Sequence, residues 1–258
     1  MPASNDLVKA AKLINLRYIS DSGAGIKRAK SGTGFKFIDP NGVAIYNENT
    51  IERIDSLAIP PAWQEVWISP FYHSHLQATG IDQKNRKQYI YHPDWIKLSK
   101  QNKFNRLIGF AKTLPVIRRL TYSSLSRGIL DKKRVLSTII LLLEHTFIRV
   151  GNDEYAKENN SFGLTTLRNR HVAVRGQNIK FQFKGKSGVE HLVTISHPTV
   201  VKTIKRCIEL PGYELFKCVD ENGNTHIIDS ADVNDFLKET TGEDITAKDF
   251  RTWGGTVL

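Results

Sequence analysis

The spacing of apolar residues divides this chain into a strand-rich first part and a helix-rich second part. Short runs of alternating, β-branched or aromatic residues predict four strands, at 35–38, 43–46, 66–68 and 87–91. The turn residues Asp39 to Gly42 would join the first two as a hairpin. Before them, apolar residues between Leu7 and Ser20 recur as on one face of a helix, which predicts an opening amphipathic helix.

Beyond Pro93 the apolar positions follow a helical period. They predict helices at about 105–120, 132–150, 198–209, 231–240 and from 247 onward. Asp131 is expected to cap the second of these helices and Gly151 to end it. The run Thr246 to Asp249 resembles the capping box of the last helix.

A small antiparallel sheet is predicted inside the helical part. Its three strands are expected at 171–174, 179–183 and 189–195. The predicted fold class is therefore α+β, with a domain boundary near residue 93. A small β-rich amino-terminal lobe would occupy residues 1–93, and a mostly helical lobe would occupy residues 94–258.

The overall charge adds a class of partner to this outline. The chain has 37 Lys+Arg against 26 Asp+Glu, a formal net charge of +11, and such a basic chain favours a polyanion. Apolar runs such as 139–143 are far shorter than the ~20 residues of a membrane span. The first residues have no secretory pattern, and Cys207 and Cys218 are the only cysteines. A soluble, intracellular nucleic-acid-binding protein without membrane association is expected.

The positive charge is concentrated in one segment. Residues 80–134 contain fourteen basic and three acidic residues, a local excess of 14 − 3 = +11. Aromatic residues interleave with these charges, as in nucleic-acid-binding surfaces; they are Tyr89, Tyr91, Trp95 and Phe104. A solvated basic surface without a nucleic-acid partner is the alternative, and composition does not decide between the two.

Several kinds of chemistry have no support in the sequence. The eight histidines show no HExxH or paired-ligand spacing, so no metal centre is expected. There is no phosphate-binding Walker loop and no GxSxG nucleophile motif, so neither ATP use nor serine hydrolase chemistry is expected.

Three cations stand at backbone boundaries instead of on open helix faces. Arg149 follows a nearly apolar helix, Lys186 lies between two glycines in a predicted hairpin tip, and Arg251 lies in the opening of the last helix. Each has an ordinary alternative role. A cation after a helix complements the helix dipole, and a lysine in a turn serves solubility.

Motifs along nearly the whole chain resemble those of the type IB DNA topoisomerases, in particular the short bacterial branch related to the poxvirus enzymes. They are Gly23–Arg28, Leu57–Trp63, Gln77–Gly80, Arg86–Pro93, Arg149–Asn152 with Tyr155, Ser161–Leu167, Phe183–Lys186 and Lys248–Gly254. The interval from Arg149 to Lys186, 186 − 149 = 37 residues, is also one that the family keeps.

The resemblance implies a clamp around double-stranded DNA and a transesterification that needs neither ATP nor a metal or other cofactor. Arg149 and Arg251 would stabilise the phosphate in the transition state, and Lys186 would act as general acid. Gln88, Tyr89, Tyr91, Tyr155, Ser161 and Thr166 would contact DNA. The protein would act as a monomer on DNA, in the cytoplasm at the nucleoid.

Two departures from the family pattern limit what is carried over. The residues after Arg149 are more basic in the poxvirus enzymes than Asn152, Asp153 and Glu154 are here, which bears on site preference. The family's nucleophilic tyrosine and a helping histidine lie beyond the position of Arg251, whereas this chain ends at Leu258. The chain as given is therefore expected to bind DNA without cleaving it.

Three readings remain after these departures. The first is an enzyme represented by a chain cut short, and the second is a natural non-catalytic DNA-binding clamp. The coding sequence after Leu258 would distinguish them, since an in-frame continuation through a histidine and a tyrosine favours the enzyme. A tyrosine recombinase shares the arginine and lysine chemistry but not the amino-terminal motifs, and it ranks below both.

Overall fold

The computed structural model describes residues 5–126 and 128–257. The chain divides into two compact units, Met1–Phe104 and Asn105–Leu258. The first is built on an antiparallel sheet and the second mainly on helices, so the predicted α+β class is confirmed. Within the described residues, no helix is both long and apolar enough to cross a membrane.

One five-stranded antiparallel sheet forms the first unit. Its strands are β1 (Ile26–Ser31), β2 (Gly34–Ile38), β3 (Gln64–Ile68), β4 (Leu76–Ile81) and β5 (Lys87–Tyr91). They pair in the order β2-β1-β3-β4-β5, so β5 is an edge strand. Helix α2 (Glu48–Ser56), capped by Asn47, packs Ile54 against the apolar face of the sheet.

The turn predicted at Asp39 to Gly42 is present, but the strand predicted at 43–46 is reduced to a single bridge. The partner of β2 is β1, and the turn between them is Gly32-Thr33, where Gly32 takes a φ of +56°. Residues 43–46 contribute one isolated bridge, between Ala44 and Ile38. The Asp39 carboxylate accepts hydrogen bonds from two backbone N–H groups of the turn, and beyond it the Ile45 N–H donates to the Phe37 carbonyl at 2.9 Å.

The helices of the first unit also differ from the prediction. Helix α1 (Asn5–Leu13) ends well before Ser20, because Asn15 is left-handed with a φ of 56°. The backbone of Arg17 then pairs with residues 73 and 75 of a distant loop. Helix α2 was not predicted, since Ile51 and Ile54 are its only strongly apolar residues.

Helix α3 (Pro93–Leu125) is twice as long as the helix predicted at 105–120. Its buried side chains recur every three or four residues; they are Leu107, Phe110, Leu114, Ile117, Thr121 and Leu125. The first three turns bury none, so the apolar period that marks the helix begins late. The division between the units falls within α3, after Phe104, whereas the sequence placed a boundary near residue 93.

Helix α4 (Lys132–Thr146) is the central helix of the second unit. Asp131 caps it as predicted, accepting a hydrogen bond from the Arg134 N–H at 2.9 Å. It ends before Val150 and Gly151, because Phe147 takes a left-handed φ of 52°. The predicted end was therefore wrong by one turn.

The other elements of the second unit follow α4 in the chain, and four of them, three helices and one strand, pack against it. The elements that follow are α5 (Asp153–Asn159), β6 (Val172–Arg175), β7 (Asn178–Lys184), β8 (Glu190–Ser196), α6 (Pro198–Glu209), β9 (Lys217–Val219), β10 (Thr225–Ile227), α7 (Ser230–Thr241) and α8 (Ala247–Val257). The antiparallel sheet β6-β7-β8 and helices α6 and α7 confirm the prediction to within a few residues. Asp249 accepts from the Thr246 N–H at 2.8 Å, which is one half of the expected capping box.

Candidate active site

Arg149 lies in an irregular segment whose backbone is locked in place. Residues 147–152 connect α4 to α5, and the Arg149 carbonyl accepts a hydrogen bond from the Leu164 N–H at 2.8 Å. Gly163 approaches so closely that a Cβ there would lie 2.5 Å from both the Arg149 oxygen and the Gly151 nitrogen. Only glycine fits this contact, so the Arg149 backbone is held while its side chain stays exposed.

The backbones of residues 149–151 and 163–166 thus cross in close contact, and two threonines support this crossing. Thr165 donates to the Val150 carbonyl through its N–H at 2.6 Å and its hydroxyl at 2.9 Å. Gly151 has a φ of +111°, and a Cβ there would lie 3.0 Å from the hydroxyls of Thr165 and Thr166. The Thr166 hydroxyl accepts from the Gly163 N–H at 2.8 Å. Thr166 is thus buried, and its hydroxyl holds the crossing together.

The β7–β8 hairpin brings Lys186 to this crossing. The Phe162 N–H donates to the carbonyl of Lys184, the last residue of β7, at 2.7 Å. Lys186 lies exposed in the hairpin tip, and its Nζ lies 5.9 Å from the centroid of the Tyr155 ring. Tyr155 lies in the first turn of α5, where its N–H donates to the Asn152 side chain at 2.8 Å. The structure therefore brings Tyr155 and Lys186 together.

Arg251 approaches from α8. Asp249, two residues earlier, accepts hydrogen bonds from the Arg106 guanidinium at 2.7 and 3.0 Å. Gly254 packs directly on the ring of Phe147, since a Cβ there would meet ring carbons at 2.3–2.7 Å. Because Phe147 ends α4 just before Arg149, this contact joins the segments that carry the two arginines.

The charges of Arg149 and Arg251 act on one another. Burial lowers the pKa of the Arg251 guanidinium, and the positive charge of Arg149 lowers it further. Among residues 5–126 and 128–257, no carboxylate forms an ion pair with Arg149, Arg251 or Lys186. Cations placed together without an acidic partner repel one another, and binding of an anion relieves this repulsion.

No sequence motif marks His191, yet its imidazole lies within the influence of the charges of Arg149 and Arg251. Burial, followed by the charges of Arg149 and Arg251, lowers the pKa of its imidazole. Its ring stacks on that of Phe183, the residue opposite it on β7, with 5.0 Å between ring centroids. The alternation of β8 turns His191 inward immediately after the hairpin tip, and this was the available signal.

Ser161 is a predicted DNA contact at the start of the segment that crosses Arg149. Only 8% of its surface is exposed, and its hydroxyl donates to the Asn159 carbonyl at 3.2 Å. Like Thr166, Ser161 therefore has its side-chain hydroxyl engaged within the protein.

The three predicted contacts on β5 belong to the first unit. Tyr89 and Tyr91 point to the same side of the edge strand, both exposed, with their rings stacked 6.0 Å apart. Gln88 points to the other side with Ile90, and its amide donates to Asp82 at 2.9 Å. The structure thus brings the two tyrosines together but not Gln88.

Folding neutralises part of the basic segment 80–134. In the part of the segment that the structure describes, carboxylates pair with cations in Arg86–Asp82, Lys87–Asp21, Lys97–Asp94, Arg106–Asp249, Arg118–Glu144 and Lys132–Asp232, among others. Four of these six acids lie outside the segment in sequence. The linear count of charges therefore overstated the positive charge that is free for a polyanion.

The chain matches known proteins over both units. Residues 86–258 match the family model described as eukaryotic DNA topoisomerase I, catalytic core, and residues 34–82 match that described as bacterial DNA topoisomerase IB, N-terminal domain. The DNA topoisomerase 1B of Acanthamoeba polyphaga mimivirus is 36% identical over 237 residues, which cover 90% of this chain and 70% of that protein.

The chain belongs to the type IB DNA topoisomerase family.

Poxvirus members of the type IB family match a shorter stretch. The DNA topoisomerase I of Monkeypox virus is 29% identical over 140 residues, which cover 53% of this chain and 42% of that protein. The chain thus spans less than half the length of this relative. A solved XerH site-specific recombinase bound to its difH substrate gives a TM-score of 0.37 at 14% identity, covering 56% of this chain and 41% of that one. A likeness of that size carries no argument.

Proposed function

We propose that this type IB family member relaxes DNA supercoils by cutting one strand transiently, letting it rotate and resealing it without ATP. The observation that carries the proposal is the pair of Arg149 and Arg251, whose charges act on one another and which have no carboxylate partner among residues 5–126 and 128–257. Lys186 joins them by resemblance, and its ammonium lies against the Tyr155 ring. All three lie in the stretch that matches the catalytic core of the family. Double-stranded DNA is the substrate, and the cytoplasmic nucleoid is the expected location.

The two arginines would hold the phosphodiester that reacts. In the transition state its non-bridging oxygens gain negative charge, and guanidiniums stay charged while they donate paired hydrogen bonds. The mutual repulsion of Arg149 and Arg251 would be relieved once the phosphate lies between them. The Gly163 contact fixes the backbone of Arg149, so that its side chain does not have to be ordered from a mobile loop.

Lys186 would supply the proton that the leaving group needs. A tyrosine oxygen forms a bond to phosphorus, the bond from phosphorus to the 5′-oxygen breaks, and the tyrosine proton goes to solvent. The ammonium of Lys186 gives a proton to the departing 5′-oxygen, which leaves as a hydroxyl. Religation runs these steps in reverse, with Lys186 taking the proton back.

No tyrosine among the 258 residues takes the nucleophile's place that the resemblance implies. Tyr213, the last of the eight, precedes Arg251 and lies in an exposed turn. We therefore propose that this chain alone binds duplex DNA, as a monomer, and forms no covalent adduct.

Two measurements on the 258-residue chain test this proposal. Binding to a labelled duplex should weaken about a hundredfold between 50 and 200 mM salt, as expected for roughly four phosphate contacts. A suicide substrate, which traps cleaved strands, should give no adduct that survives denaturation. Absence of duplex binding would contradict the DNA-binding function, and a trapped adduct would contradict the assignment of the nucleophile.

A further inference from the structure

The tip of the β7–β8 hairpin is attached to its strands through Gly185. Lys184 and Glu190 form the last strand pair, and residues 185–189 make the tip. The Gly185 N–H donates to the Val189 carbonyl at 2.7 Å, and the Gly185 carbonyl accepts from the Gly188 N–H at 3.0 Å. Lys186 follows Gly185 directly, so a displacement of Gly185 moves the ammonium of Lys186.

The imidazole of His191 occupies the space against which Gly185 rests. A Cβ on Gly185 would lie 2.5 Å from both Cδ2 and Nε2 of the ring. The φ of Gly185 is −94°, a value open to any residue, so only the histidine ring excludes a side chain there. The ring is also stacked on the buried Phe183 at an interplanar angle of 10°. The imidazole is thus packed between the hydrophobic core and the base of the tip.

We propose that His191 is a positioning residue for Lys186. Its imidazole packs between Phe183 and Gly185 and so fixes the position of the hairpin tip relative to its strands. This in turn fixes the position of the Lys186 ammonium against the Tyr155 ring. The consequence for chemistry rests on the proposed function of Lys186 as proton donor. The packing itself does not depend on that function.

The charge around His191 fits a packing role. Burial lowers the pKa of the His191 imidazole, the charges of Arg149 and Arg251 lower it further, and the charge of Glu190 opposes this shift without reversing it. A neutral imidazole adds no further positive charge and stacks on Phe183 without a counter-ion. In the described part of the chain, its nitrogens have no hydrogen-bond partner, so the contacts that place it are those of its ring.

A double-mutant cycle on the 258-residue chain tests the packing. Gly185→Ala should destabilise the chain while His191 is present, because the new Cβ meets the ring. In the His191→Ala background the same change should cost little, because the obstructing ring is gone. Additive losses of stability, measured by urea unfolding, would overturn the proposal.

The place of Lys186 can be followed in the same chain. Reductive methylation with ¹³C gives each lysine an NMR signal, and Lys186→Arg identifies the one from Lys186. That signal should move towards the position of a free lysine in His191→Ala and keep its position in His191→Phe, which preserves the stack. An unmoved signal in His191→Ala, or an equal shift in His191→Phe, would overturn the positioning role.

The chemical consequence is tested in a form of the protein that carries the tyrosine nucleophile. Replacing the bridging 5′-oxygen by sulfur gives a leaving group that needs no proton. Both Lys186→Ala and His191→Ala should cleave the ordinary substrate more slowly than the wild type, and the rate of Lys186→Ala should fall by about 10²-fold or more. On the sulfur substrate, both variants should recover the wild-type cleavage rate.

The two proposals fail in different ways in this assay. If Lys186→Ala does not recover on the sulfur substrate, Lys186 is not the proton donor, and the proposed function of that residue fails. If Lys186→Ala recovers but His191→Ala stays slow, the defect of the histidine variant lies outside proton transfer and the positioning role fails. Wild-type rates in His191→Phe complete the expected result.

Discussion

At the scale of single residues, the candidate site depends on glycines that let backbones touch. Gly163 against Arg149 and Gly254 against Phe147 are contacts in which a Cβ has no room. Both bring together segments that are distant in sequence, and each lies next to an arginine of the proposed site. The guanidiniums are exposed or half-buried, so their positions depend on these backbone contacts more than on side-chain packing.

Substitution of Gly163 should therefore damage stability. Gly163→Ala places a Cβ 2.5 Å from two backbone atoms, which is expected to cost about 1–3 kcal/mol of unfolding free energy. Gly109→Ala is the matched control, because Gly109 lies inside α3 with no atom within 4 Å of the added Cβ. The control should gain up to about 1 kcal/mol. Urea unfolding of both variants checks this, and equal stabilities would contradict the account of the crossing.

At the scale of elements, β5 presents its two tyrosines because it is an edge strand. Its inner neighbour β4 is almost completely buried, whereas β5 alternates between exposed and half-buried positions. Tyr89 and Tyr91 are stacked on one another, so their side chains lose little further freedom when they bind a partner.

Loss of one of these tyrosines should weaken DNA binding. Tyr89→Ala is expected to lower the affinity for a duplex about three- to tenfold, the effect of one or two lost polar contacts. Tyr46→Ala provides the control, because Tyr46 is an 83% exposed tyrosine in the same unit. Fluorescence anisotropy at fixed salt measures both. Equal affinities of the two variants for the duplex would contradict the prediction that β5 contacts DNA.

Helix α8, which carries Arg251, is anchored to α3 by a partly buried ion pair. Burial of the Asp249 carboxyl raises its pKa, but the hydrogen bonds from Arg106 and Thr246 outweigh burial and leave the pKa below its usual value. The folded state thus favours ionised Asp249. The resulting stability is present above the unfolded pKa of about 3.9 and is lost as pH falls through the folded value.

Removal of the Asp249 charge should consequently matter at neutral pH and not in acid. Asp249→Asn is expected to cost about 1–3 kcal/mol at pH 7, since Arg106 loses the buried carboxylate of its two acidic partners and keeps only the exposed Asp244. The difference between wild type and variant should shrink as pH falls below about 4. Thermal unfolding across pH 3 to 7 measures it. A difference that stays constant across this range would show that the ion pair does not anchor α8.

At the scale of the whole molecule, the sequence patterns correctly predicted those elements whose ends and pairing are determined by residues close together in the chain. The β7–β8 hairpin and helices α6 and α7 appeared where alternation, turn residues and caps lie close together in sequence. The early end of α4 was missed, because an apolar run continues through Phe147 while a left-handed residue stops the helix. The first turns of α3 were missed because they bury nothing.

The candidate site was predicted by resemblance, and its supports were not. Arg149, Lys186 and Arg251 came from family motifs, whereas the Gly163 crossing and the Arg106–Asp249 pair join residues with no shared local pattern. The same applies to the charge of segment 80–134, which is partly neutralised by acids from elsewhere in the chain. Contacts between distant segments are fixed by tertiary packing, which periodicity does not contain.

The central claim is that Arg149, Lys186 and Arg251 form a phosphodiester transesterification site. Relaxation of a supercoiled plasmid, without ATP and with EDTA present, tests it most directly in a form of the protein that carries the tyrosine nucleophile. The predicted result is a ladder of relaxed topoisomers for the wild type and none at matched times for Arg149→Ala. Arg175→Ala, which changes an exposed arginine at the end of β6, should behave like the wild type. Relaxation that requires ATP, or that proceeds undiminished in Arg149→Ala, would contradict it.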